Sequence, residues 1–166
     1  MPIVKFEALP DEARVWVFGT AAPVDEIDAA KVLAVADAFL LQWTAHGHPL
    51  TGARDWRNER FLTVGVDQST EGASGCSIDG LFRTLQGLES AIGTSLVGGG
   101  RVFFRDALNL VHSVTRQEFE RMATRGEVDG TTPVFDITVT TAAAYRSAFE
   151  QPAATTWHAG LLTPAR

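Results

Sequence analysis

Apolar and polar positions along this chain follow periods that change several times, and the changes mark its elements. Arg14-Val15-Trp16-Val17-Phe18 is apolar on both sides, which predicts a strand covered on both faces. Asp25 to about Ala45 reads as a helix with an acidic first turn; Leu33, Ala36, Leu40 and Trp43 give it one apolar stripe, widened by Val32 and Phe39. His46-Gly47-His48-Pro49 ends it, since glycine accepts a left-handed cap and proline forbids continuation. Leu50 to Arg57 is polar enough for an edge strand. After a turn at Asn58-Glu59, Leu62, Val64 and Val66 alternate cleanly within Phe61 to Asp67.

The most regular helical pattern comes next. Ile78, Leu81, Phe82, Leu85, Leu88 and Ile92 recur at helical spacing opposite Arg83, Gln86 and Glu89, and Gly93 stands where the helix would stop. Val102-Phe103-Phe104 and Leu108 to Val114 then read as two strands of a hairpin joined through Arg105-Asp106-Ala107. Thr115-Arg116-Gln117-Glu118 has the form of a capping box, opening a short helix with Phe119 and Met122 on one side and Gly126 at its end. Pro133 to Thr140 predicts a late strand and Ala142 to Phe149 a helix. The remainder is an irregular tail held by Trp157 and Leu161.

The order strand, helix, strand, strand, helix, strand predicts an α+β fold. It is that of a ferredoxin-like split βαβ sandwich, here extended by an extra hairpin strand and a C-terminal helical and irregular appendage from about residue 115, all in a single domain. In that topology the first helix returns to the end of the sheet where the first strand began, and the third strand runs back to the same end. The His46 to His48 turn, Asp67 and the start of the second helix would then meet at one edge, joined by Arg105 or Asp106 from the fourth strand.

Composition narrows the function classes. The apolar and charged fractions are those of an ordinary globular chain with a substantial core. A formal net charge of -6, with arginines scattered rather than clustered, argues against a nucleic-acid partner. One cysteine excludes an intramolecular disulfide framework. With no basic-then-apolar leader and no long uncharged apolar run, the expected location is the cytoplasm, away from any membrane.

The candidate chemistry sits in Gly72-Ala73-Ser74-Gly75-Cys76-Ser77-Ile78-Asp79. Ser74, Ser77 and Asp79 supply oxygen acceptors for the first turn of the helix, which puts Cys76 at or just outside its N-terminus. The positive end of the helix dipole there favours a thiolate, and Gly72, Ala73 and Gly75 leave backbone amides uncovered, as an anion or oxyanion site requires. The competing reading is a small buried hydrophobe among close-packing neighbours.

Taken together, Ala13-Arg14-Val15-Trp16-Val17-Phe18, the run from Gln42 to Leu50, the block from Arg60 through Asp67 to Asp79, and Trp157-His158 resemble a family of small uncharacterised bacterial proteins, some of which carry the label "ABC transporter ATPase". The resemblance covers most of the chain and implies no reaction or catalytic residues. The label's chemistry has no counterpart in these residues: there is no Gly-x-x-x-x-Gly-Lys-Ser/Thr phosphate loop, and the only lysines are Lys5 and Lys31.

Three readings of the site stand side by side. The leading one is a non-catalytic module that holds a small-molecule or anionic ligand at the Cys76 helix N-terminus through Ser74, Gly75 and Ser77, with Asp67 and Arg105 nearby. It needs no cofactor, and ferredoxin-like sandwiches accommodate a homodimer through their faces. The second is a thiol enzyme for acyl transfer or hydrolysis: Cys76 as nucleophile, His46 or His48 as base, Asp67 or Asp79 orienting the imidazole, and the Gly75, Cys76 and Ser77 amides as oxyanion donors. A zinc site from His46, His48, Cys76 and Asp79 is a third, with spacing far less specific than paired Cys-x-x-Cys motifs, so no metal is expected. Elsewhere, His112 shares a strand face with Leu108, Leu110 and Val114, which predicts a hydrogen-bonded core histidine, and Trp157 is expected to pack.

Overall fold

The computed structural model describes residues 3–45, 47–69 and 72–162, and they form an α+β fold. A 3₁₀ turn at Phe6–Ala8 precedes β1 (Arg14–Gly19) and α1 (Glu26–Gln42). The small hairpin of β2 (Thr44–Ala45) and β3 (His48–Pro49) leads into β4 (Thr51–Arg57) and β5 (Phe61–Asp67). Then come α2 (Gly75–Gln86), α3 (Glu89–Ile92), β6 (Arg101–Arg105), β7 (Val111–Thr115), α4 (Arg116–Thr124), β8 (Pro133–Phe135), α5 (Ala142–Ala148) and β9 (Glu150–Pro152). The 3₁₀ turns Ala153–Thr155 and Trp157–Leu161 follow.

The first half keeps the split βαβ connection. β5 lies between β1 and β4 and is antiparallel to both, with Trp16 opposite Val64 and Asp55 opposite Thr63. Asp25 caps α1 by accepting from the Asp28 amide at 2.8 Å, and Val32, Ala36 and Leu40 pack against Trp16, Leu62, Val64 and Val66 on one face of this sheet. Leu81 and Leu85 of α2 complete that layer. The helical run expected to reach Ile92 is broken at Gly87 into α2 and α3, and Gly93 takes the left-handed cap at φ 70°.

The fourth strand departs from the single four-stranded sheet that the element order suggested. β6 does not pair with β1; it is central in a second sheet of order β7-β6-β8-β9. Two features account for this. The free edge of β1 is already taken: the Val15 amide donates to the Thr140 carbonyl at 2.9 Å, and Arg14 bridges to Thr141. β6 is also apolar on both sides and needs cover on both. Phe103 packs with Phe61, Phe135, Tyr145 and Phe149 against the far face of the first sheet, while Val102 and Phe104 pack with Phe119, Val128 and Val134 beneath α4. The approach is so close that a Cβ on Gly19 would lie 2.5 Å from Phe103 Cζ.

Two arginines, Arg60 buried and Arg146 exposed, brace the joint. Arg60, 7% exposed, donates to the Thr20 carbonyl at 3.1 Å, the Ala21 carbonyl at 3.0 Å and the Val111 carbonyl at 3.1 Å, tying the loop after β1 to β7. Arg146 of α5 likewise donates to the Phe6 and Leu9 carbonyls and pairs with Asp11. The late strand ends early, at Phe135, because the Asp136 carboxylate accepts from the Thr138 amide and turns the chain.

Candidate functional site

Cys76 is the second residue of α2, and its side chain is exposed. This corrects the reading of a buried packing residue. Ser74 is the N-cap: its hydroxyl accepts from the Ser77 amide at 3.2 Å, and the Ser77 hydroxyl donates to the Ser74 carbonyl at 2.9 Å. The Ser77 amide is thus engaged, and of the proposed oxyanion donors Gly75 and Cys76 remain. Asp79 is exposed one turn further on.

The sheet register shows which expected neighbours share that end. Thr51 pairs with Asp67, and β3 directly precedes β4, so exposed His48 and half-buried Asp67 lie at one end of the first sheet. The Phe82 ring of α2 meets Phe18 near the other end, at 5.2 Å, so the helix start and Cys76 belong to the His48 and Asp67 end. His46 lies outside the described residues. Asp67 accepts from the Ser69 amide at 2.9 Å and closes a turn. Among the described residues no hydrogen bond joins Cys76, His48, Asp67 or Asp79 to one another, and no three His, Cys, Asp or Glu side chains cluster closely enough to hold a metal ion.

Arg105, expected beside them, is at the opposite end. It lines a cavity of ≈ 470 Å³ with Asn58, Glu59 and Arg60 of the β4–β5 turn, and it is held by Glu150 at 2.8 and 3.0 Å and by the Asn109 carbonyl at 3.1 Å. The cause is topological: β6 left the first sheet, and its end went with it.

A better-formed site occupies the second sheet. α4 and residues 127–133 overhang β6 and β7, leaving a cleft of ≈ 670 Å³. Phe104, Val114, Met122, Val128 and Pro133 make its apolar surface. His112 stands in its wall, stacked on Phe104 with ring centres 5.2 Å apart and planes 20° from parallel. Asp106 fixes the ring from the other side. One carboxylate oxygen accepts from the Leu108 and Leu110 amides at 2.8 and 3.0 Å, and the other meets His112 Nε2 at 2.6 Å. Bonds from His112 and from the Leu110 and Leu108 amides hold the Asp106 carboxyl below its usual range. An ionised carboxylate only accepts, so Nε2 carries a ring hydrogen, and in the neutral imidazole the lone pair is then on Nδ1. Nδ1 has no hydrogen-bond partner among the described residues.

This corrects the expectation of a core histidine beside Leu108 and Leu110. Those leucines are 80% and 58% exposed on a turn, where Asn109 takes φ 65°, and β7 begins only at Val111. Asp106 and Asn109, both turn formers, were the signal in the sequence. The capping box is half realised: Thr115 accepts from the Glu118 amide at 3.1 Å, while the Glu118 carboxylate turns away to Arg121 and Arg125. Glu118 joins Glu127 and Asp129 on the cleft rim; Glu127 also pairs with Arg125, and Asp129 accepts from Thr131.

Behind the cleft, Trp157 packs in the α4 core, stacked on His158 at 3.9 Å and under the Arg116 guanidinium at 4.8 Å. A further cavity of ≈ 670 Å³ at the β4 edge is polar, and its Arg54 and Asp37 already pair at 2.9 and 3.1 Å. Among the described residues no helix is long and apolar enough to cross a membrane. No protein-family model matches the chain, and comparison with curated proteins and with solved structures finds none similar to it.

Proposed function

We propose that the protein binds a small molecule in the cleft beneath α4, one with an apolar, ring-sized body and a neutral or cationic polar end. The observation that carries this is the combination of an apolar surface with one oriented imidazole in a space of ≈ 670 Å³. Small-molecule sites are typically about 300–1,000 Å³ with few, fixed polar groups. The lining charge disfavours an anion: it holds four carboxylates, Asp106, Glu118, Glu127 and Asp129, and one cation, Arg105, with Arg121 and Arg125 offsetting part of that excess. Covering roughly 150 Å² of apolar ring surface is worth about 4 kcal/mol, which corresponds to roughly millimolar affinity for a minimal ligand.

Methyl NMR with two matched probes tests this. 2-Phenylethylamine should shift the Met122 and Val128 methyls saturably and leave Ile78 of α2 unmoved, and phenylacetate should bind at least about tenfold more weakly. Absence of any saturable shift at Met122 and Val128 sinks the proposal.

A second reading is favoured by the exposure of the Cys76 sulfur. It keeps thiol chemistry at α2, with Cys76 as nucleophile, His48 or His46 as base, Asp79 or Asp67 as the orienting carboxylate, and the Gly75 and Cys76 amides facing developing negative charge. It requires rapid alkylation of Cys76 by iodoacetamide that slows in His46→Gln or His48→Gln. Equal rates in all three proteins exclude a histidine base.

A further inference from the structure

Given that the cleft binds a small molecule, we infer that it is also a site of proton-transfer chemistry, in which His112 Nδ1 takes a proton from an activated C–H of the bound, apolar-bodied substrate and Asp106 positions the imidazole. The geometry supplies what a general base needs. The ring is fixed on two sides, by the Phe104 stack and by the Asp106 bond at 2.6 Å, and its lone-pair nitrogen has no competing donor among the described residues. Asp106 is itself immobilised by the Leu108 and Leu110 amides, so the pair is assembled before any ligand arrives.

The surroundings select this reaction class over acyl transfer. Neither cleft hydroxyl is bonded to the imidazole that would activate it: Thr131 donates to the Asp129 carboxylate, and the Thr132 hydroxyl accepts from the Asp129 amide. Arg105, the cationic donor in the lining, is held by Glu150 and the Asn109 carbonyl. An activated nucleophile and a ready oxyanion partner are therefore not what these residues offer, whereas deprotonating carbon in one step needs only the base and an apolar surface.

The probe is 5-nitrobenzisoxazole, a flat aromatic whose ring opening is driven by one base. Nδ1 takes the C3 proton, the C–H electron pair becomes the third C–N bond of a nitrile, and the N–O bond breaks to leave a phenolate. The imidazolium then returns its proton to water, so no oxidant, reductant or co-reactant is required.

Three proteins are compared: wild type, His112→Gln and Asp106→Asn. In Asp106→Asn the side-chain carbonyl still accepts from the Leu108 and Leu110 amides and keeps the turn. Its NH₂ now faces Nε2 and donates, which forces the hydrogen onto Nδ1 and removes the base. Wild type should turn the probe over with saturation, and both variants should lose roughly 100-fold in kcat, Asp106→Asn with KM unchanged. A merely structural role for Asp106 would not produce that split. If the Met122 methyl shift saturates with the probe but turnover in His112→Gln equals that of wild type, the base assignment is overturned while ligand binding stands. If neither the methyl shift nor turnover appears, binding fails and the base assignment falls with it.

Discussion

His158 allows one proton to be played against a sealed, largely apolar environment. Its side chain is 1% exposed, stacked on Trp157, edge-on to Phe119 at 6.3 Å, and bonded through Nδ1 to the Thr156 hydroxyl at 2.7 Å. Burial pushes its pKa down from 6.5 to about 4; Asp136 opposes the shift slightly and Arg116 adds to it. Between those values the unfolded chain binds a proton that the folded chain refuses, so stability falls as pH drops from 6.5 to 4 and this contribution levels off below. The separation is worth about 3 kcal/mol if the folded state stays closed. Opening of the terminal turn alone limits the loss, and we expect about 2 kcal/mol. Urea unfolding of wild type and His158→Phe at stepped pH measures it. The variant gives up the Thr156 bond, about 1 kcal/mol at neutral pH, but should lack the acid-dependent loss, so the two curves approach on acidification and then cross, leaving the variant the more stable by about 1 kcal/mol at the acid end. Parallel curves through that window would refute the reasoning.

Gly19→Ala places a Cβ 2.5 Å from Phe103 Cζ in a core where the ring cannot yield, and should cost about 1–3 kcal/mol in urea unfolding; an unchanged midpoint contradicts the close approach of the two sheets. Arg60→Met strips the donors from the Thr20, Ala21 and Val111 carbonyls and should destabilise by about 3 kcal/mol, with Arg60→Lys recovering only part because one ammonium cannot reach all three. Cys76→Ser should unfold within about 0.5 kcal/mol of wild type, since the side chain is exposed. Iodoacetamide should label Cys76 in the native protein, and protection from it until unfolding would show a sealed sulfur.

The first half of the fold was legible because each pattern there is both local and unambiguous. Asp25 and Ser74 cap the helices that the sequence marks, and Leu62, Val64 and Val66 face α1 as their alternation requires. The second sheet was not legible. Val102-Phe103-Phe104 has the same apolar run whether it joins β1 or seeds a new sheet, and the choice is made by Thr140, a residue distant in sequence that occupies the β1 edge. β8 and β9 are too short, at three residues each, to carry a period. The cleft wall is hidden for a smaller reason: the apolar spacing of Leu108 and Leu110 mimics a strand continuous with Val114, whereas both leucines are exposed on a turn and β7 begins only at Val111. The cysteine block marks a helix start through local residues, Ser74 and Ser77, whereas the place of Arg105 depends on which sheet β6 joins.

The most direct measurement is the ¹⁵N spectrum of the His112 imidazole, recorded at about pH 8, above the ordinary imidazole range, with and without 2-phenylethylamine. A pre-oriented ring in the ligand cleft gives one tautomer with the hydrogen on Nε2, and its Nδ1 resonance moves as Met122 does on titration. Averaged tautomers, or a ring indifferent to a ligand that shifts Met122, would contradict it.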